Sequence, residues 1–501
     1  MSARRAPGGR DAPRGRVEVA AAIAYVACFL VWYPSTFAIV DESTYLSTAY
    51  VYRAGTIFSD VARVESVSRV RAGGHEVSKF APLWPAALAL FTLPGWRGAF
   101  LANLAVHLAG FALFARLVRR AGLPAWTSLL YLAHPTLVYY SRTLMSDLAA
   151  GVLFLAAWWH WGGDRRRSAV LAGVWAGLSC AVRYTNVALV ALFAAASALD
   201  DLRRPPGRSP RTLPMILGAL PPALALAIYN QAAFGTWWRG TDGYRGDQVG
   251  PGLGGQFGPH VFASGLQHYA GALLAAFPLM LPAVFLYRGR DRLALSVVSL
   301  GFTLLFCFYY YQDRSNDFLR TAVVGLRFLV PVLPLYLLAY ADVLARAFRA
   351  ADVGPRAATI GGAVAAALAI ALVSARHQGY LRPLDAERRR LYALTTDGST
   401  ILCDTAARKL LHDVWGERRA VRVEFRDRWE IPALEEVGGA GFFVAMAGRG
   451  AREPMPEPLA GLLAASGARP VAQALVGSRL RLWEVPRRGA RPDATGLLGS
   501  P

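Results

Sequence analysis

Apolar and polar positions alternate along this chain in long blocks. Eleven apolar runs fall at roughly 17–40, 97–118, 124–140, 147–162, 168–182, 186–199, 212–230, 268–287, 293–311, 322–347 and 357–374. Many reach the ~20 residues that an α-helix needs to cross a bilayer. The pattern predicts a polytopic α-helical membrane protein with about 11 transmembrane helices. A further apolar segment, Ala81–Leu93, has 13 residues, is broken by Pro82 and Pro85, and carries Trp84. That composition suits an interfacial or re-entrant helix better than a span. Runs 168–182 and 186–199 are short and flank Arg183-Tyr184-Thr185-Asn186. They predict a tight hairpin with a cation at its tip, either shallow in the bilayer or opening into a watery cavity. A snorkelling arginine at a helix end gives the same pattern.

After Ser374 the blocks give way to charged sequence. The expected elements there are strand Thr400–Cys403, helix Thr405–Trp415, strand Val421–Phe425, helix Ile431–Val437 and strand Phe442–Ala447. Further strands are expected at Pro470–Leu475 and Leu480–Val485. Such an order predicts a small α/β domain over 376–487. It follows a membrane domain over 17–375, whose first outer loop is 41–95. The Arg/Gly/Pro-rich segment 1–16 and the tail 488–501 read as disordered.

Charge decides the orientation. Arginine clusters at 116–120, 165–167, 203–211, 288–292 and 346–356 fall in alternate loops, together with Arg4, Arg5, Arg10, Arg14 and Arg16 at the N-terminus. Positive-inside bias makes that side cytoplasmic, provided Ala81–Leu93 does not cross. The C-terminal domain is then extracytoplasmic. Hydrophobic residues make up 54% of the 501 positions and charged residues 17%, with a net charge of +21. Those arginines sit between apolar runs, so the basic balance implies a membrane and not nucleic acid. The first apolar run is longer than a signal sequence and lacks a clear cleavage site, so it is expected to remain as the first helix. Cys28, Cys180, Cys307 and Cys403 show no disulfide framework or metal-ligand spacing. The glycine-rich stretch within 231–267, beside Trp237 and Trp238, lacks the Lys-Ser/Thr ending of a phosphate loop.

The topology gathers Asp41, Glu42, Lys79, Arg142, Asp147, Arg183 and Arg327 at or near the outer ends of helices. An acidic pair at the end of a span also marks a plain helix exit, but acids are expensive in hydrocarbon and several cations share this face. Cleaving a sugar–phosphate bond leaves negative charge on the departing phosphate, which preorganised Lys or Arg stabilises in a dry site. The attacking hydroxyl needs a positioned carboxylate to take its proton. His107 and His134 lie within helices and read as buried structural histidines; His75 reads as a solvated loop residue.

At these residues the chain resembles the GT-C glycosyltransferases, particularly the bacterial family-39-like and aminoarabinose-transferase-like members and the protein mannosyltransferases. Asp41-Glu42 after the first helix is similar to their acidic pair. Ser78-Lys79-Phe80-Ala81-Pro82-Leu83-Trp84-Pro85 resembles their Lys-Pro-Pro-Leu-Tyr segment, with Phe80 inserted and Ala81 replacing the first proline. Ser141-Arg142-Thr143-Leu144-Met145-Ser146-Asp147 and Gly325-Leu326-Arg327-Phe328-Leu329-Val330-Pro331 resemble two further motifs. The likeness covers about residues 17–375. It implies Asp41 as general base with Glu42 beside it, and Lys79, Arg142, Arg183 and Arg327 on the donor phosphate. Asp147, which would orient Arg142 or reach substrate, Tyr45 and Glu76 are the substrate-positioning candidates. The donor implied is a sugar on a polyprenyl phosphate, the acceptor a lipid, glycan or protein hydroxyl, and the location the bacterial inner membrane. No metal ligand set is expected: two adjacent carboxylates without a clear third ligand leave a divalent metal open but not favoured. The rival class is a lipid or sugar flippase, which calls for mid-membrane charges and broken helices related by an internal repeat. A non-catalytic membrane scaffold is the third class.

Overall fold

The computed structural model describes residues 15–58, 69–72, 75–163, 165–204, 209–237, 257–309, 318–396, 399–403, 410, 419–422, 442–446, 457–472 and 480–486. The first apolar run ends sooner than its hydropathy predicts. Helix α1 spans Arg16–Val31 and stops just before Pro34; α2 (Val40–Arg53) then starts afresh. Proline lacks an N–H and bars the helical conformation to the residue before it. The acidic pair therefore stands in the first turn of α2, not at the end of the first span as expected.

An antiparallel hairpin that hydropathy did not signal follows, with β1 (Arg69–Ala72) pairing β2 (His75–Ser78). Helix α3 (Leu83–Phe91) has 9 residues. At 1.5 Å per residue it is about 14 Å long, too short to cross. After α4 (Phe100–Arg120), the run expected as a single span over 124–140 breaks into a 3-10 turn, α5 (Leu129–Ala133) and α6 (Pro135–Tyr140). His134 is extended because Pro135 follows it.

Helices α7 (Asp147–Trp161), α8 (Arg166–Val182), α9 (Asn186–Leu202) and α10 (Thr212–Phe234) match their apolar runs. The next expected span is again broken: α11 (Phe262–Ala276) and α12 (Met280–Leu286) meet at 92°. Pro278 lies at this bend, and Leu279 adopts a left-handed φ of 67°. Beyond α13 (Arg292–Cys307), α14 (Phe318–Val324) and a 3-10 turn lead into α15 (Leu333–Ala350) through a bend of 116°. Helix α16 (Pro355–Leu394) runs for 40 residues. Among the described residues three helices are long and apolar enough to cross a membrane, or up to five with each bent pair counted once. The other apolar runs, which include the 15-residue α7, form shorter helices.

The chain divides into two compact units. The first comprises 1–33, 80–84 and 100–378, and its described elements are helices apart from one isolated antiparallel bridge between Phe257 and Tyr309. Its tightest packing is between α8 and α10, where a Cβ at Gly173 would fall 1.8 Å from the Met215 carbonyl oxygen and one at Gly218 2.0 Å from that of Val170. Only glycine permits that backbone approach.

The second unit comprises 34–79, 85–99 and 379–501. It holds a five-stranded mixed sheet made of β3 (Thr400–Cys403), β4 (Arg419–Arg422), β5 (Phe442–Met446), β6 (Arg469–Ala472) and β7 (Arg481–Val485). The spatial order is β4-β3-β5-β7-β6, with β4-β3-β5 parallel and the remaining pairs antiparallel. Helix α17 (Glu457–Ala465) precedes β6. The helices expected over Thr405–Trp415 and Ile431–Val437, most of the glycine-rich segment with Trp238, and the 488–501 tail lie outside the described residues, as does nearly all of 1–16.

Candidate active site

Arg142 lies on the non-helical link between α6 and α7. Irregular backbone in an apolar interior needs partners for its peptide groups; side chains from two other elements supply them, and a third holds a side chain of the link. Asn103 on α4 donates to the Thr143 and Met145 carbonyls at 2.6 and 2.9 Å. Trp84 on α3 donates its indole N–H to the Leu144 carbonyl at 2.7 Å. Tyr25 on α1 hydrogen-bonds the Ser141 hydroxyl. The Arg142 side chain is 1% exposed, with its guanidinium carbon 5.0 Å from the centre of the Phe29 ring. Its Nε and Nη2 have no hydrogen-bond partner among the described residues. These two nitrogens form one edge of the planar guanidinium, the edge that meets a carboxylate or phosphate with two parallel hydrogen bonds.

Asp147, at the start of α7, is fully buried and holds two other predicted cations. Arg183 Nη1 pairs with its Oδ1, and Arg327 Nε lies 3.9 Å from Oδ2. Both guanidinium groups also stand over the Phe328 ring, at 5.3 and 5.5 Å. Arg183 is extended at the end of α8 and is fixed further by Nε donating to Thr185 Oγ1 at 2.9 Å. Asp147, expected to orient Arg142 or reach substrate, pairs with Arg183 and Arg327. The three side chains sum to +1, so the group keeps a net positive charge.

Asp41, Glu42, Tyr45, Glu76 and Lys79 belong to the second unit. Glu42 is fully buried, and its Oε1 accepts from the backbone N–H of Ala38 at 2.9 Å and of Ile39 at 2.8 Å. It thereby caps its own helix, where a negative charge is also favoured by the helix dipole. Asp41 is half-buried one residue earlier, and Tyr45 is buried one turn on. Lys79 is half-buried just past β2, and Glu76 stands opposite Arg71 in the hairpin register. Among the described residues no three His, Cys, Asp or Glu side chains converge to hold a metal.

Asn103 and Trp84 were not singled out as site residues from sequence. An asparagine inside an apolar run was the available signal for the first. Trp84 lies in the Lys79 motif, and the structure gives it a definite task, anchoring the Arg142 link. His377 on α16 also escaped notice; it is buried against Tyr139, with ring centres 4.9 Å apart.

Broken and short helices beside long ones in the first unit and a small mixed sheet in the second make up a fold that solved structures share. One protein with that fold is ArnT from Cupriavidus metallidurans. The ArnT structure in the apo state superposes with a TM-score of 0.63 at 14% identity, covering 94% of this chain and 98% of that one. The structure of the same protein bound to undecaprenyl phosphate gives 0.62 at 14% identity, covering 98% and 100%. At that identity the likeness is one of fold. No protein-family model matches the chain, and no curated protein matches it by sequence.

Proposed function

We propose that the chain is an integral glycosyltransferase of the bacterial inner membrane. It moves a sugar from a polyprenyl-phosphate donor to a hydroxyl of a lipid, glycan or protein on the extracytoplasmic face. The observation that carries this reading is the Nε/Nη2 edge of Arg142, which has no partner among the described residues and is buried on a link that other side chains hold rigid. A buried cation with an open two-donor edge is strongly destabilising until an oxyanion meets it. A fold that also occurs in a protein with a structure bound to undecaprenyl phosphate supports a lipid phosphate as that oxyanion.

The reaction is a single in-line displacement with inversion at the anomeric carbon. The acceptor oxygen forms its bond to that carbon as the carbon–oxygen bond to phosphate breaks, and the Asp41 carboxylate takes the acceptor proton. The departing lipid phosphate keeps the electron pair, and its charge is met by Arg142, with Lys79, Arg183 and Arg327 contributing positive potential. Glu42 supports the base by fixing the first turn of α2; Tyr45 and Glu76 orient substrate. The test is transfer from labelled polyprenyl-phosphate sugars by the purified protein. Asp41→Asn should abolish transfer with unfolding unchanged, and a fully active Asp41→Asn protein would refute the base assignment.

The two sharply broken helices favour a second reading, a flippase for lipid-linked sugars, because such breaks also build transport sites. Transfer in detergent solution, where no compartments exist, separates the two.

A further inference from the structure

Polar atoms with no task in the transfer scheme gather on one turn of α16. Ser374, His377 and Gln378 are spaced i, i+3, i+4, which puts them on one helix face. Ser374 is 0% and His377 4% exposed. Ser374 Oγ, both His377 ring nitrogens and Gln378 Oε1 have no hydrogen-bond partner among the described residues. The His377 ring packs edge-on to Tyr139, and Arg142, three residues further along, lies within electrostatic reach of it. The large majority of buried side-chain polar atoms in folded proteins find partners. Four unpartnered atoms on one turn, beside two more on Arg142, therefore point to a ligand.

The mixture of donors and acceptors identifies its chemistry. In either tautomer a neutral imidazole presents one N–H and one bare nitrogen, and an amide oxygen only accepts. An oxyanion has no proton to give, so a bare phosphate leaves the His377 acceptor and Gln378 Oε1 unsatisfied. A ligand that joins an oxyanion to hydroxyl groups satisfies both sets at once. We propose that this turn recognises the sugar of a sugar phosphate whose phosphate sits on Arg142, so that the site prefers sugar-loaded lipid phosphate to bare lipid phosphate. This rests on the transferase proposal above and adds a consequence to it. Once the sugar has moved, its hydrogen bonds to the turn are lost and the spent lipid phosphate is released.

The test is the affinity of the purified full chain in nanodiscs for undecaprenyl phosphate, bare or carrying mannose, glucose or aminoarabinose. At least one loaded lipid should bind more tightly than the bare one. His377→Leu and Gln378→Leu should each reduce that preference about tenfold, and Ser374→Ala about threefold, with bare-lipid affinity unchanged. Arg142→Met should weaken every lipid alike. Retained bare-lipid binding also shows that a variant is folded, and Ser374→Ala, which removes one oxygen, carries the test if the larger changes unfold the protein. Equal affinity of the wild type for loaded and bare lipids, or equal weakening of both by the α16 variants, overturns the sugar subsite and leaves lipid-phosphate binding standing. A wild type that binds no lipid phosphate at all overturns the phosphate site and the sugar subsite together.

Discussion

Asp147→Asn offers the sharpest test of how the buried charges are arranged. Its carboxylate is fully buried and is shared by Arg183 and Arg327, the latter at 3.9 Å. At that separation and an effective dielectric of ~20, a single pair is worth about 4 kcal/mol before desolvation is counted. Removing one partner of a buried ion pair costs about 3–5 kcal/mol, because the remaining charge stays buried without compensation. Neutralising Asp147 raises the net charge of the group from +1 to +2, so a loss in the upper part of that range is expected. Adding Arg327→Gln restores +1 and should recover about 1–3 kcal/mol as a coupling energy. The assay is reversible unfolding of the full chain in mixed micelles, run as a double-mutant cycle. Strict additivity of the two changes, or an Asp147→Asn protein within about 0.5 kcal/mol of wild type, would show that the three side chains do not act as one unit.

Three further outcomes are expected. Glu42→Gln keeps an oxygen for the Ala38 and Ile39 N–H groups and should lose only the dipole contribution of about 0.3–1 kcal/mol, whereas Glu42→Ala should lose the cap as well, about 0.5–2 kcal/mol more in thermal unfolding. Asn103→Leu strips partners from two buried carbonyls at about 1–3 kcal/mol each, and hydrogen exchange over residues 141–146 should rise with it. Gly173→Ala drives a methyl into the Met215 carbonyl and should cost at least the ~1–3 kcal/mol of overpacking, while Gly361→Ala, with nothing within 4 Å, should be neutral or stabilising by up to about 1 kcal/mol. Melting temperatures of the pair decide this.

Hydropathy located the helices of this chain better than it counted crossings. The block over 147–162 became a single helix because nothing in it breaks the pattern, whereas α10 runs unbroken through Pro221 and Pro222. Blocks over 124–140, 268–287 and 322–347 contain Pro135, Pro278, and Pro331 with Pro334. A window average passes over these prolines, but at each of them the helix is interrupted. The first run fails for the same reason at Pro34, and that moved the acidic pair from a helix end to a helix start. Among the candidate site residues, Arg142, Arg183, Arg327 and Asp147 could be picked out because ionisable groups stand out against apolar sequence. Their pairing could not: which cation Asp147 holds depends on how α7, α8 and the turn at Arg327 pack, and spacing along the chain contains no such distance. His377 was illegible for another reason, since a lone histidine reads the same whether buried among partners or without them.

Leu279 has a consequence of its own. A non-glycine residue in the left-handed region is strained by roughly 1–2 kcal/mol, which glycine would relieve. Yet the Leu279 side chain is 59% exposed, at a corner where the helix ladder is interrupted. Leucine thus trades backbone ease for an exposed apolar side chain, which acyl chains accept better than water does, so Leu279→Gly should raise stability by about 1–2 kcal/mol in a hydrated micelle and by less in a bilayer.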